Sequence, residues 1–138
     1  MAVIPAVKWI DVQVLVNDVA LKEYNADDDE LEMKRDDHDR FISRYVEAKT
    51  GAEFVVKIMI DEKSQRLPKG GGLTFLLTID GGLMASISLR RSDFRKGYDF
   101  DFAGYRYHAN GKPHEKAFKF SQLHIGKFTH LTAQTIAN

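Results

Sequence analysis

The sequence predicts an all-β protein, mostly an antiparallel β-sandwich of the jelly-roll or immunoglobulin-like type with about eight strands. Apolar and polar residues alternate in several short segments, and turn-forming residues separate these segments. No window shows the sustained 3.6-residue apolar period of an amphipathic helix. Short alternating strands joined by turns are typical of sandwiches and barrels. The 138 residues suit one core, so we expect a single domain over residues 1–138.

The N-terminal part predicts two strands followed by a charged insert. Alternation over residues 9–16 predicts a half-buried strand. Asn17 and Asp18 are turn candidates because their side chains tolerate turn dihedrals, and a shorter strand is expected to return over residues 19–24. Residues 27–40 hold eight acidic and three basic residues, a net charge of −5. We interpret them as an exposed acidic insert, because they contain too few apolar residues to pack.

A hairpin is predicted in the middle of the chain. Its strands are expected over residues 41–48 and 54–60, with a bend at residues 49–51. Gly51 can supply the positive φ that a short hairpin loop with a bulge requires. The second strand has the cleanest alternation of the sequence, with Lys57 opposite its apolar face. That face consists of Phe54, Val56, Ile58 and Ile60.

A second hairpin is predicted after a loop over residues 61–72. Asp80 and Gly81 form the dipeptide that type I′ turns favour, because both central residues need positive φ. The core face of the first strand is expected to hold Leu73, Phe75, Leu77 and Ile79. The core face of the second strand is expected to hold Leu83, Ala85, Ile87 and Leu89.

The alternation changes phase in the last third of the chain. Tyr105 and Tyr107 are one residue out of phase with the preceding segment, in which aromatic residues alternate with aspartates. The change falls at Ala103 and Gly104, which predicts a β-bulge or kink there. The aromatic residues of the preceding segment are Tyr98, Phe100 and Phe102.

The C-terminal segments contain one more turn, one more strand and a tail for which the sequence leaves several structures open. Asn110 and Gly111 give another turn, and residues 116–121 predict a strand with Phe118 and Phe120 on one face. The tail over residues 126–138 fits a final strand, a short helix or a frayed end.

The residue types argue against most catalytic and metal chemistry. The absence of cysteine excludes disulfides, thiolate zinc sites and a cysteine nucleophile. No phosphate-binding loop or nucleophile-elbow motif is present. We therefore expect no cofactor, no metal and a function that is not enzymatic. The histidines of the last third, whose spacing matches no compact ligand motif, are His108, His114, His124 and His130.

The N-terminal segment does not predict secretion or membrane insertion. Its apolar run is interrupted by Pro5 and Lys8 and lacks a basic flank before it. No stretch approaches the roughly 20 apolar residues of a membrane span. An intracellular protein, cytoplasmic or nuclear and without a membrane partner, is the expectation.

Several blocks of the sequence resemble a known family. The residues concerned are Leu21, Glu23 and Tyr24, then Ser43, Tyr45, Val46, Glu47, Ala48, Gly51 and Phe54, then Asp80 and Gly81, and finally Phe118 to Ser121. Over roughly residues 9–125 the chain resembles a family of uncharacterised fungal proteins with a domain of unknown function at or near the N-terminus. YVEAKTGAEF is the most specific block. The resemblance implies a β-sandwich-like fold and a fungal intracellular protein, and it implies no activity, substrate or catalytic residue.

The leading functional hypothesis is a non-catalytic protein-binding or scaffolding domain. The acidic insert is a candidate docking arm for a basic partner. Residues that packing on the main apolar face does not explain are candidates for partner binding. They are Tyr45, Glu47, Glu53 and Lys57, and a basic group formed by Arg90, Arg91, Arg95 and Lys96.

Three alternatives stay open. The first is binding of nucleic acid or another anion through the basic C-terminal half, because the chain outside the acidic insert carries a net charge of +5. The second is a small-molecule or carbohydrate site on an aromatic face formed by Tyr98, Tyr105 and Tyr107. The third is self-association through an exposed edge strand. A pair of carboxylates, Glu47 and Glu53, is also expected to lie opposite each other across the first hairpin.

Overall fold

The computed structural model describes residues 2–3, 7–25, 42–62, 71–122 and 131–137. These residues form mostly β-strands with one short helix, and every strand pairing is antiparallel. The sequence prediction of a mostly antiparallel β structure is therefore confirmed. The strands are β1 (Ala2–Val3), β2 (Ile10–Val16), β3 (Val19–Ala20), β4 (Glu23–Asn25), β5 (Arg44–Val46), β6 (Val55–Ile60), β7 (Gly72–Ile79), β8 (Gly82–Arg90), β9 (Tyr98–Phe102), β10 (Gly104–Ala109), β11 (Lys112–Ala117) and β12 (Leu131–Ala137), and the helix is α1 (Arg91–Phe94).

The described strands form two larger sheets and two separate two-stranded ribbons. One sheet has the order β1-β2-β6-β9, with β3 also paired to β2. The other sheet has the order β12-β7-β8. The ribbons are β4–β5 and β10–β11. Strands β1, β3, β4 and β5 are only two or three residues long, so the described part of the chain has more strands than the eight expected, and several of them are minor.

One hydrophobic core joins the buried faces of the two larger sheets. Val56, Ile58 and Ile60 of β6 are buried together with residues of β7 and β8. The rings of Phe75 in β7 and Phe100 in β9 meet edge to face at 5.3 Å, so the contact reaches from one sheet to the other. Burial of each such side chain contributes about 1.5–3 kcal/mol. The predicted core face of β6 is confirmed.

The predicted hairpin between residues 41–48 and 54–60 is wrong. Strand β5 pairs with β4, whereas β6 pairs with β2 and β9. Gly51 has the expected positive φ of 78°, but its N–H donates to the carbonyl of Phe120. The physical reason is the length of the partners: β2 pairs with β6 over six residues and β9 over five, whereas β5 has only three residues. The longer partners satisfy more of the backbone N–H and C=O groups of β6.

Three predicted turns are confirmed, and the Asp80–Gly81 turn has the positive φ values that its type I′ prediction requires. Each joins two antiparallel strands, in the hairpins β2–β3, β7–β8 and β10–β11. Positive φ at both central residues is the requirement of a type I′ turn. The residues with this conformation are Asn17 and Asp18, Asp80 and Gly81, and Asn110 and Gly111.

A bulge in the β7–β8 hairpin overturns one predicted core position. Leu77 pairs with Ala85, but Thr78 pairs with Leu83, so Met84 is the extra residue. One extra residue moves the following side chain to the opposite face of the sheet. Leu83 is accordingly 62% exposed, although alternation alone placed it in the core, while Met84 packs against the core.

The predicted break at Ala103 and Gly104 is confirmed, and it marks a change of sheet. Strand β9 pairs with β6, whereas β10 pairs with β11. A Cβ atom on Gly104 would collide with the backbone carbonyl of Lys116. A residue without a side chain is therefore required where the chain leaves one sheet and starts the ribbon.

Two predicted strands differ from the structure, whereas one of the alternatives for the tail is confirmed. The strand expected over residues 19–24 is divided into β3 and β4, and the strand over 116–121 is replaced by the end of β11 and an isolated bridge between Glu53 and Lys119. The tail contributes β12, which pairs with β7, so the strand alternative is confirmed.

The acidic insert of residues 27–40 and most of the loop over 61–72 lie outside the described residues. No helix in the described ranges has the length and apolar character needed to cross a membrane.

Candidate functional site

Two tyrosines lie on the outward face of the β4–β5 ribbon, which we call the tyrosine ribbon. Tyr24 and Tyr45 are direct cross-strand partners, and they are 45% and 49% exposed. Their neighbours Glu23 and Val46 form the next pair and are half-buried, because successive pairs point to opposite faces. The Nζ atom of Lys22 lies 5.0 Å from the centre of the Tyr24 ring, a cation–π contact. The ribbon thus turns its two rings away from the protein.

The local sequence accounts for this arrangement. In each of the two short strands a tyrosine occupies the middle position, so the register that brings the middles together pairs the two rings. Tyrosine combines a large apolar ring with a hydroxyl that can donate and accept hydrogen bonds. Such rings are common at the centres of protein interfaces. The tyrosine ribbon therefore offers two apolar ring surfaces and two hydroxyl groups for hydrogen bonding.

The other candidates from the same block of sequence lie apart from the tyrosines. Glu47 follows β5 and is exposed. Glu53 forms its bridge with Lys119, so the predicted opposition of Glu47 and Glu53 is wrong. Lys57 lies on the outward face of β6, where its Nζ atom is 3.3 Å from a carboxylate oxygen of Asp99. A partly exposed pair of this kind contributes at most about 1 kcal/mol.

The basic candidates lie together around α1. Arg90 ends β8, Arg91 begins the helix, and Arg95 and Lys96 follow it. The fully buried ring of Phe94 anchors this segment to the core. The backbone N–H of Arg90 donates to the carboxylate of Asp93 at 2.7 Å, which caps the first turn. Their proximity follows from sequence adjacency, and their binding role stays a prediction.

The half-buried Asp11 is a polar feature that the sequence did not single out. Burial raises the pKa of its carboxyl group, and the carboxylate of Glu23 adds to the increase. The amino-terminal charge and the backbone N–H of Val12 act in the opposite direction. Its Oδ1 atom is buried and has no hydrogen-bond partner among the described residues. Alternation placed Asp11 on the polar side of β2 and gave no sign that other parts of the chain cover that side.

The aromatic candidates lie in two different sheets. Tyr98 belongs to β9, in the larger sheet, and is 39% exposed. Tyr105 and Tyr107 belong to the β10–β11 ribbon, where Tyr105 is half-buried and Tyr107 is 41% exposed. The described residues contain no group of three or more His, Cys, Asp or Glu side chains arranged to hold a metal ion.

Comparison with protein families identifies the chain. A model of a domain of unknown function, DUF7918, matches residues 9–137. The chain belongs to the DUF7918 family. No curated protein and no solved structure matches it. The DUF7918 match runs from the residue before β2 to the last residue of β12, so the family domain includes both ribbons and every described strand of the two larger sheets except β1. The fungal source and the N-terminal position implied by the resemblance stay predictions.

Proposed function

We propose that this DUF7918 domain is a non-catalytic protein-binding module and that the tyrosine ribbon is its contact surface. The single observation that carries the proposal is the outward pairing of Tyr24 and Tyr45, each close to half exposed. Exposing two adjacent aromatic rings to water is unfavourable relative to covering them. A protein partner that covers both rings would recover that free energy.

The setting of the ribbon supports protein contact over catalysis. The Nζ atom of Lys22 lies 5.0 Å from the centre of the Tyr24 ring, and the exposed Glu47 lies two residues after Tyr45, so charged side chains border the rings. Apolar rings at the centre and charges at the rim are the usual anatomy of a protein interface. Neither tyrosine has a histidine or carboxylate within the described hydrogen bonds that would activate it as an acid or base.

We also infer that the two larger sheets pack as a β-sandwich. The support is the shared core, to which β2 and β6 contribute from one sheet and β7 and β8 from the other. The contact between Phe75 and Phe100 across the sheets has the same implication. In such an arrangement the ribbons extend from the layered core, and their outward faces remain open to partners.

The proposal is tested with a double variant, Tyr24→Ala with Tyr45→Ala. Proteins captured from an extract by the wild-type chain are purified, and their affinity for each variant is measured by calorimetry. We expect a stoichiometric partner whose affinity falls at least about tenfold, because central interface tyrosines contribute on the order of 2 kcal/mol or more. Leu83→Ala is the matched control, because Leu83 is an exposed apolar residue of another sheet.

The control must bind as the wild type does, and both variants must keep the wild-type circular dichroism spectrum. A partner that binds the tyrosine variant as tightly as the wild type would exclude the tyrosine ribbon as its contact surface. Failure to find any stoichiometric protein partner would count against the binding module itself.

A further inference from the structure

One face of the β10–β11 ribbon combines aromatic rings with cations and has no carboxylate; we call it the ring face. Residues directly opposite each other in an antiparallel pair share a face, as do alternate residues of one strand. The register therefore places six side chains on the ring face, namely Tyr105, Tyr107, Ala109, Lys112, His114 and Lys116. The acidic residue of the ribbon, Glu115, lies on the opposite face, directly across from Arg106 in the strand register.

The rings of this face contact one another and are anchored in the core. The centres of Tyr107 and His114 are 5.4 Å apart with nearly parallel planes, at 22°. Tyr105 lies 6.0 Å from Tyr107 on one side and 6.4 Å from the buried Phe118 on the other. Phe118 in turn stacks on Phe54. The row of rings thus runs from the buried Phe118 to the exposed Tyr107 and His114. The contact of Tyr105 with Phe118 connects the exposed rings to the core.

We propose that the ring face binds single-stranded nucleic acid. Single strands are bound by aromatic side chains on which bases stack, together with cations that follow the phosphates. Tyr107 and His114 provide the exposed rings, and Lys112 and Lys116 provide cations on the same face. The ribbon from Gly104 to Ala117 has three Lys or Arg residues and one acidic residue, so its net charge of +2 complements a polyanion.

The ring face fits a single strand better than a duplex or an acidic peptide. The bases of a duplex are stacked on each other, so their faces are closed to Tyr107 and His114. An acidic peptide would satisfy the lysines and leave the rings without a partner. Only an unpaired strand offers flat bases and phosphates together.

Nucleic-acid binding by the ring face does not depend on protein contact by the tyrosine ribbon, because the two surfaces lie on different ribbons. Variants of Tyr24 and Tyr45 are therefore expected to bind nucleic acid as the wild type does. Either proposal can fail while the other stands.

The test measures fluorescence anisotropy of labelled oligouridine and oligothymidine, each about 20 nucleotides long, with the purified 138-residue chain at low salt, about 50 mM. We expect binding that Tyr107→Ala weakens on the order of tenfold, since one stacked base accounts for a loss of that size. Tyr107→Phe keeps the ring and is expected to restore the affinity. Tyr98→Ala is the matched control, because Tyr98 has nearly the same exposure but lies on β9.

A second pair of variants tests which face is used. Lys116→Ala removes a cation from the ring face, and Arg106→Ala removes one from the opposite face. We expect Lys116→Ala to reduce the slope of log affinity against log salt by about 0.7, the value for one phosphate contact to a single strand. Arg106→Ala is expected to leave that slope unchanged.

Several results would overturn the inference. They are no binding at low salt, equal or tighter binding of a duplex of the same sequence, equal or tighter binding of polyglutamate, an affinity unchanged by Tyr107→Ala, and equal losses from Lys116→Ala and Arg106→Ala. Circular dichroism of each variant establishes that a loss of binding is not a loss of fold.

Discussion

At the scale of single residues, Asp11 is a charged group placed where charge is unfavourable. It lies between Val3 of β1 and Met59 of β6 on the outward face of its sheet. Burial raises the pKa of its carboxyl group, and the nearby carboxylate of Glu23 acts in the same direction. The folded state therefore favours protonated Asp11 more than the unfolded state does.

This pKa difference gives the dependence of stability on pH a definite sign. A carboxyl group with a raised pKa in the folded state contributes most to stability below its unfolded pKa of about 3.9, and this contribution is lost as the pH rises through the folded pKa. Removal of the charge by Asp11→Asn is thus expected to increase the free energy of unfolding at neutral pH. The gain should disappear as the pH approaches the unfolded pKa.

Urea unfolding of the wild type and of Asp11→Asn, followed between pH 4 and pH 7, measures the sign of this effect and how it changes with pH. Asp101→Asn, which alters an exposed aspartate of β9, serves as the control. A wild type that is more stable than Asp11→Asn at neutral pH would mean that the ionised carboxylate is favourable in the fold.

At the scale of elements, the row of rings fixes the β10–β11 ribbon to the core. Phe118 is buried and stacks on Phe54 at 5.6 Å, and the N–H of Phe118 donates to the carbonyl of Ala103. Tyr107 at the other end of the row is exposed and contacts rings of the ribbon alone. The inner ring therefore contributes to the stability of the whole protein, whereas the outer ring contributes little.

Truncation of the two rings should have very different costs. We expect Phe118→Ala to lower the free energy of unfolding by about 3–5 kcal/mol, the usual cost of removing a buried phenylalanine ring. Tyr107→Ala should lower it by about 1 kcal/mol or less. Urea unfolding measures both, and hydrogen exchange of the β10–β11 amides should be faster in Phe118→Leu than in the wild type. Equal costs for the two alanine variants would contradict the anchoring role of Phe118.

Local sequence patterns predicted the buried face of β6 and the tight turns, but they did not predict every strand pairing. The alternation of β6 and the positions of the three tight turns were predicted because face and turn chemistry are properties of a few adjacent residues. The β4–β5 pairing joins strands that are separated by residues 26–43, and no local rule fixes a pairing across such a distance. The position of Leu83 was missed because its side of the sheet depends on a one-residue bulge.

At the scale of the whole molecule, two sheets share the core while two ribbons lie outside those sheets. Tyr45 was identified as a candidate because the core did not explain it. Its partner Tyr24 was missed as a site residue because the pairing that brings the two rings together is not local. The functional surfaces proposed here belong to the ribbons, and the sheets hold them in place.

We expect a protein partner to cover the outward face of the tyrosine ribbon. A photo-crosslinking phenylalanine analogue at position 45 tests it most directly, with the same analogue at position 83 as the control in another sheet. We expect a discrete protein adduct from position 45 that is lost when Tyr24 is changed to alanine, and we expect none from position 83. Equal adducts from both positions, or no adduct from position 45, would contradict it.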